Sequence, residues 1–110
     1  MKYFETLFLE DARKFIACLD SKARMKLFHN IEVAEQTRDI RFFKKLNHEI
    51  WEFRIHCVDG QIRLLAFWDK TNRSQTLVVA THGFIKKTMK VSKSEINRAV
   101  RLRAEYFEHK

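Results

Sequence analysis

A chain of 110 residues can bury one modest hydrophobic core but not two, so residues 1–110 are read as a single domain. Its 45% hydrophobic and 13% aromatic content, with no proline and two glycines, excludes a disordered or low-complexity chain and leaves no linker. The net charge of +8 is lopsided: residues 1–59 carry 11 Lys/Arg against 10 Asp/Glu, and residues 60–110 carry 11 against 4, which points the second half toward polyanions. An acidic protein partner, or a face that only confers solubility, would read the same way.

Lys2 to Phe8 alternates weakly and predicts a short first strand. Glu10 and Asp11 suit the first turn of a helix, and Ala12, Phe15, Ile16 and Leu19 recur at helical spacing, which ends that helix near Asp20. Asp20-Ser21 can cap a second helix at once, with Leu27, Phe28, Ile31 and Ala34 on one stripe. The pair forms a helical hairpin that needs a flat surface to cover. Glu35 to Asn47 has no clear period; Phe42, Phe43 and Leu46 pin it to the core, and Lys44 and Lys45 read as a solvated turn.

Ile50 to Val58 alternates cleanly, with Trp51, Phe53 and Ile55 on one side and Glu52, Arg54 and His56 on the other. Asp59-Gly60 is a tight-turn signal, and Ile62 to Trp68 returns as a second strand with Arg63, Leu65 and Phe67 on its non-core face. Asp69 to Ser74 turns the chain again into a strand over Thr76 to Phe84. Ser92-Lys-Ser-Glu95 is a capping box, with Val91 and Ile96 at the staple positions, and opens a last helix from about Lys93 to Glu108. Its stripe is Ile96, Ala99, Val100, Arg103, Tyr106 and Phe107. These elements predict an α+β fold: a small antiparallel-rich sheet, an N-terminal helical hairpin packed on one face, and a C-terminal helix.

Cys18 and Cys57 match no metal or redox spacing and read as buried free thiols in a reducing compartment. No stretch approaches the roughly 18 consecutive apolar residues that a membrane span needs. Met1-Lys-Tyr-Phe-Glu5 lacks the apolar region of a secretory signal, so a cytoplasmic protein is expected.

Chemistry concentrates where Lys86, Lys87 and Lys90 lie between a strand end and a helix N-terminus, a place that attracts anions. Arg54 and Arg63 come from adjacent strands, and Glu52 can pair with them as an ordinary sheet contact. His82, Phe84 and Lys86, two apart on the next strand, project to one face. If Arg63 shares that face, the inventory suits RNA: guanidinium for phosphate, Phe84 to stack an unpaired base, Lys or His to move a proton. No metal-ligand set, P-loop, dinucleotide-binding glycine motif or serine elbow is present, and no cofactor is expected.

Ile50-Trp-Glu-Phe-Arg54, Gly60 with Arg63-Leu-Leu-Ala-Phe67, and His82-Gly-Phe-Ile-Lys-Lys-Thr88 with Lys90 and Glu95-Ile96 resemble the phage-derived, HigB-like branch of the RelE/ParE toxin superfamily. The resemblance covers nearly the whole chain, and His-Gly-Phe-x-Lys-Lys-Thr-x-Lys is its most specific part. It implies a RelE-like fold and a type II toxin neutralised by a cognate antitoxin. It also implies mRNA cleavage on the ribosome without a metal. Arg54, Arg63, Lys86, Lys87 and Lys90 fall on the branch's basic motif positions. Val91-Ser92 departs from the Thr-Pro that members commonly carry, though Ser is itself a good cap.

The expected reaction is transesterification, in which an RNA 2′-hydroxyl attacks the adjacent phosphorus to give a 2′,3′-cyclic phosphate and a 5′-hydroxyl. Arg63 with Arg54 or a lysine would stabilise the charge gathered in the transition state. A lysine among Lys86, Lys87 and Lys90 whose pKa is depressed by its neighbours is the first candidate base, and His82 the second; the acid is unassigned. Lys93, Arg98 and Arg101 on the last helix are candidate RNA contacts beside Phe84. This reading requires Arg63 and Lys86 on the same side of the sheet, and neither locked into a buried carboxylate pair. The alternatives are a non-catalytic, ParE-like inhibitor of a protein target such as DNA gyrase, and an RNA-binding module or toxin relic without activity. An acidic or helical antitoxin should cover the basic face.

Overall fold

Period-two alternation builds a five-stranded sheet, and two sets of amphipathic helices cover its two faces. The computed structural model describes residues 1–58 and 60–110. In chain order the elements are β1 (Glu5–Phe8), α1 (Glu10–Ala17), α2 (Ser21–Thr37), β2 (Phe43–Lys45), β3 (Trp51–Cys57), β4 (Gly60–Asp69), β5 (Leu77–Lys86) and α3 (Lys93–Glu108). The sheet order is β1-β5-β4-β3-β2. β3, β4 and β5 form the expected antiparallel meander, β2 adds antiparallel to β3, and β1 lies parallel to β5. The α+β architecture, with the first two helices on one face and a C-terminal helix, is therefore the one the residue pattern predicts.

α1 and α2 cover the face that carries Phe53, Ile55, Ile62, Leu64, Ala66, Val78 and Ala80. Their own stripes supply Ala12, Ile16, Leu27, Ile31 and Ala34, all buried. Phe28, expected in that stripe, is half exposed and meets Phe8 edge-to-face with ring centroids 6.0 Å apart. α1 ends at Ala17 rather than at Asp20. Arg24 on α2 explains the stop, because its guanidinium donates to the carbonyls of Ile16, Ala17 and Leu19 at 3.2, 3.2 and 2.7 Å, satisfying acceptors that a longer helix would have used. Asp20 then caps α2 by accepting from the Ala23 N–H at 2.8 Å.

The segment with no clear period contains the end of α2, a left-handed Arg38 (φ 56°) and the three-residue strand β2. Lys44 and Lys45 are thus strand residues and not a turn, and their charges sit on an edge that would otherwise be open to pairing. Cys57 and Gly60 pair in register at the β3–β4 connection, as a tight turn demands, while Asp59 of the predicted Asp59-Gly60 turn lies outside the described residues. The expectation of buried thiols fails for Cys18, which is exposed just past the end of α1, and Cys57 is only partly covered. Among the described residues, no helix is long and apolar enough to cross a membrane.

α3 covers the opposite face through Ile96 and Ala99, which pack with Ile50, Leu65, Phe67 and Val79, and with Val91, Val100, Tyr106 and Phe107 at the margin. At its start the Ser92 hydroxyl accepts from the Glu95 N–H at 3.3 Å. The reciprocal half of the capping box is not formed, because the Glu95 side chain reaches His82 instead. At its other end the Tyr106 hydroxyl donates to Asp69 at 2.6 Å, and Lys110 approaches the same carboxylate at 3.3 Å.

Candidate nucleic-acid interface

Register decides which side chains can meet. Arg54 on β3 lies directly opposite Arg63 on β4, and Arg63 lies opposite Phe84 on β5. Glu52 is opposite Leu65, which is opposite His82; Gln61 is opposite Lys86; and Lys44 on β2 is opposite Glu52. Strict alternation along β5 would put Val79, Thr81, Gly83 and Ile85 on one face. A bulge changes the phase: Leu65 pairs with His82 but Ala66 pairs with Ala80, which leaves Thr81 as the extra residue. Val79 therefore joins the α3 face upstream of the bulge, and His82, Phe84 and Lys86 join it downstream. This places Arg54, Arg63, Phe84, His82 and Lys86 on one side of the sheet, the face shared with α3.

α3 then divides that face in two. Under the helix, His82 is 1% exposed, with Nδ1 3.0 Å from the Thr81 hydroxyl and Nε2 3.0 Å from Glu95 Oε1. A carboxylate accepts only, so Nε2 carries a proton and donates to Glu95. Burial pushes the imidazole pKa down and the Glu95 contact opposes it. His82 is thus a buried link between β5 and α3, and the expectation that it offers a base on the open surface is not met. Phe84 is partly covered by the same core, its ring centroid 6.0 Å from that of His82.

Beyond the helix, four cationic side chains gather around one carboxylate. Glu52 is buried; its Oε1 is 3.2 Å from Arg63 Nε and its Oε2 3.7 Å from Arg54 Nε. Neither contact is a well-formed hydrogen bond, since both Nε–H groups and Glu52 Oε1 lack a properly aligned partner among the described residues. The attraction is coulombic. Arg63 also donates Nη1 to the Ile62 carbonyl at 3.1 Å and Nη2 to Gln61 Oε1, and its side chain is fully buried. Burial pushes its pKa down, Glu52 opposes that shift, and Arg54 adds to it.

Arg54 retains 29% exposure and faces solvent over this pair. Lys86 is partly buried: desolvation lowers its pKa first, then Arg63, Arg54 and Lys44, against an opposing pull from Glu52. His56, on the same side of β3, is lowered by burial and by Arg63 and Arg54.

Of the two conditions set by the sequence, one holds and one does not. Arg63 and Lys86 share a face, but Arg63 is held in a buried pair with Glu52 and does not reach the surface. The outward cations are Arg54, Lys86 and Lys44. Lys44, which the sequence assigns to a solvated turn, joins them because a three-residue strand leaves no periodic signal; its position opposite Glu52 exists only through pairing with β3. Lys87, Lys90 and Lys93 are exposed past the end of β5 and form no ion pair among the described residues. Arg98 bonds Asp11 of α1 at 3.0 Å, and Arg101 pairs with Glu105 one turn along at 3.4 Å, so both are engaged in partly exposed contacts. Among the described residues, no group of three or more His, Cys, Asp or Glu side chains converges as a metal centre would need.

Residues 14–104 match the family model of the phage-derived Gp49-like proteins (DUF891). The fold is similar to that of a chain in the intact E. coli RelBE toxin–antitoxin complex, with a TM-score of 0.56 at 17% identity over 77% of this chain and 99% of that one. No curated protein sequence matches significantly.

Proposed function

The chain belongs to the phage-derived Gp49-like family, and from that premise we propose that it is the toxin of a type II toxin–antitoxin pair, an endoribonuclease that cuts mRNA on the ribosome. The supporting observation is the juxtaposition of Arg54, Lys86 and Lys44 at the open end of a sheet face, backed by a buried Arg63. The likeness of the fold to a chain of the RelBE complex adds to it.

In this reading Arg54 receives the non-bridging phosphate oxygens, and Lys44 adds charge at the edge of the sheet. Lys86, whose ammonium is destabilised by burial and by three neighbouring cations, gives up its proton more readily than an ordinary lysine and then removes the proton of the 2′-hydroxyl. The O2′–P bond forms as the P–O5′ bond breaks, the departing 5′-oxygen takes up a proton, and a 2′,3′-cyclic phosphate remains. Because Arg63 is locked to Glu52, its assignment as the phosphate ligand is withdrawn and Arg54 takes that place; Arg63 contributes positive potential from beneath without touching the substrate in this conformation. Phe84 offers a ring edge to an unpaired base, while Lys87, Lys90 and Lys93 extend positive charge toward the N-terminus of α3. The site of action is cytoplasmic, and an acidic antitoxin segment silences the chain by covering the cationic end.

The test is cleavage of mRNA on translating ribosomes, with the new ends chemically identified. Cyclic-phosphate ends are expected, and Arg54→Ala should slow cleavage by about 10²–10³-fold, the usual cost of losing one well-placed charge-stabilising donor. Unchanged RNA ends would sink the nuclease. The buried Glu52–Arg63 pair favours the second reading, a non-catalytic inhibitor of a protein such as DNA gyrase, because it leaves fewer guanidinium groups open to a phosphate. Growth arrest with intact RNA would select that reading.

A further inference from the structure

Two arginines directly opposite each other on an antiparallel pair repel, and nothing in sheet geometry keeps them together. Here they stay together because a carboxylate, 3% exposed, sits at the Nε edges of both, 3.2 Å from Arg63 and 3.7 Å from Arg54. That edge of Arg54 faces inward. Its terminal nitrogens make no hydrogen bond among the described residues, they are not among the buried unpartnered atoms as its Nε is, and the side chain keeps 29% exposure. Arg63 has no such freedom, since the Ile62 carbonyl and Gln61 hold its terminal nitrogens. The arrangement is asymmetric: one guanidinium is fixed, the carboxylate lies against it at ion-pair distance, and the second guanidinium is attracted to that carboxylate.

We propose that Glu52 is the positioning residue of this site, holding the inner edge of Arg54 through the anchored Glu52–Arg63 pair so that the outer fork of Arg54 meets a phosphodiester. The proposal rests on the reading of this face as an RNA site. It also gives the buried pair a purpose that an ordinary salt bridge would lack. Arg63 acts through Glu52 and Glu52 through Arg54, and of these three only Arg54 touches the ligand.

The experiment is a binding cycle with the full chain and a short RNA oligonucleotide bearing 2′-O-methyl riboses, which keeps the phosphates and cannot react. Dissociation constants are measured for the unmodified chain, Glu52→Gln, Arg54→Ala and the double variant, with a melting curve to establish that each is folded. Glu52→Gln keeps the shape of the side chain and removes its charge. It should weaken binding about tenfold in the unmodified chain and less than about twofold once Arg54 is absent, a coupling that general destabilisation does not produce. Glu52→Asp, which keeps the charge on a shorter arm, should fall between the two and decides the question if Glu52→Gln does not fold. The proposal is overturned if Glu52→Gln leaves affinity unchanged, tightens binding, or costs the same with and without Arg54. If the unmodified chain binds the oligonucleotide only when it lies in the mRNA channel of a ribosome, the same cycle is run there; a chain that binds it neither free nor on the ribosome overturns the RNA reading itself, a failure visible before any variant is compared.

Discussion

Replacing Tyr106 by Phe removes one oxygen and isolates the bond that docks the end of α3 onto β4. The Tyr106 hydroxyl donates to Asp69 Oδ2 at 2.6 Å, and Asp69 is 1% exposed. Burial pushes the Asp69 carboxyl up, and hydrogen bonds from Tyr106 and Thr71 more than reverse that, bringing it to about 2 from an ordinary 3.8. Burial, and then the bond to Asp69, push Tyr106 to about 12 from 10.0. A hydrogen bond to a charged acceptor contributes about 1.5–3 kcal/mol. Asp69 keeps Thr71, which donates N–H at 3.0 Å and Oγ1 at 2.7 Å, so the loss should fall in the middle of that range. A cost of about 2 kcal/mol corresponds to a melting temperature lower by about 8 °C in a domain of this size. The sign with pH follows from the shifts. A depressed carboxyl stabilises the fold above pH 3.8 and loses that contribution as pH falls toward about 2, so the gap between the two proteins should narrow in acid. A raised phenol stabilises below pH 10.0 and loses that contribution toward about 12, so in strong base the unmodified chain should lose this contribution, which the variant never had. Melting curves followed by circular dichroism read all three regimes. Equal melting temperatures at neutral pH, or a gap that does not close in acid, would refute the reasoning.

Two other outcomes are expected. Gly83→Ala should lower the urea midpoint by the equivalent of about 1–3 kcal/mol, because a Cβ there would stand 2.3 Å from the Phe15 ring and force α1 off β5; an unchanged midpoint would mean that Phe15 turns aside freely. If Lys86 is the base, the cleavage rate should rise with pH as its lowered pKa is passed and then level off; Lys86→Arg, which keeps the charge but not the titration, should lose about 10²-fold and the rise with it. A pH-independent rate in the unmodified chain would remove Lys86 from that role.

Gly83 bears on how much can be read from residues alone. Gly83 looks like part of a functional motif because it lies between His82 and Phe84, yet its role is to leave room for an aromatic ring from a helix nearly seventy residues earlier. Local signals located what depends on local chemistry. Ser92 and the stripe behind it gave both ends of α3, and clean alternation placed Glu52 and Arg54 against Phe53 and Ile55. Long-range facts had no such signal. Alternation assigns Arg63 to a face but says nothing of the burial that Glu52, Gln61 and neighbouring strands impose on it. His82 was expected in the open because the placement of α3 over it depends on tertiary packing. The Thr81 bulge and the parallel pairing of β1 likewise arise from register, which a single sequence does not encode at any one position.

That parallel pairing has a consequence for how the molecule is made. Among the described residues, Glu5 to Phe8 find their sheet partners only in Leu77 to Ala80, 72 positions further along the chain. The first strand must therefore wait, unpaired, while β3 and β4 form their local hairpin, because a long loop has to close before β1 can pair. Of the sheet's pairings this one joins the residues farthest apart in sequence, and it is the one expected to close last.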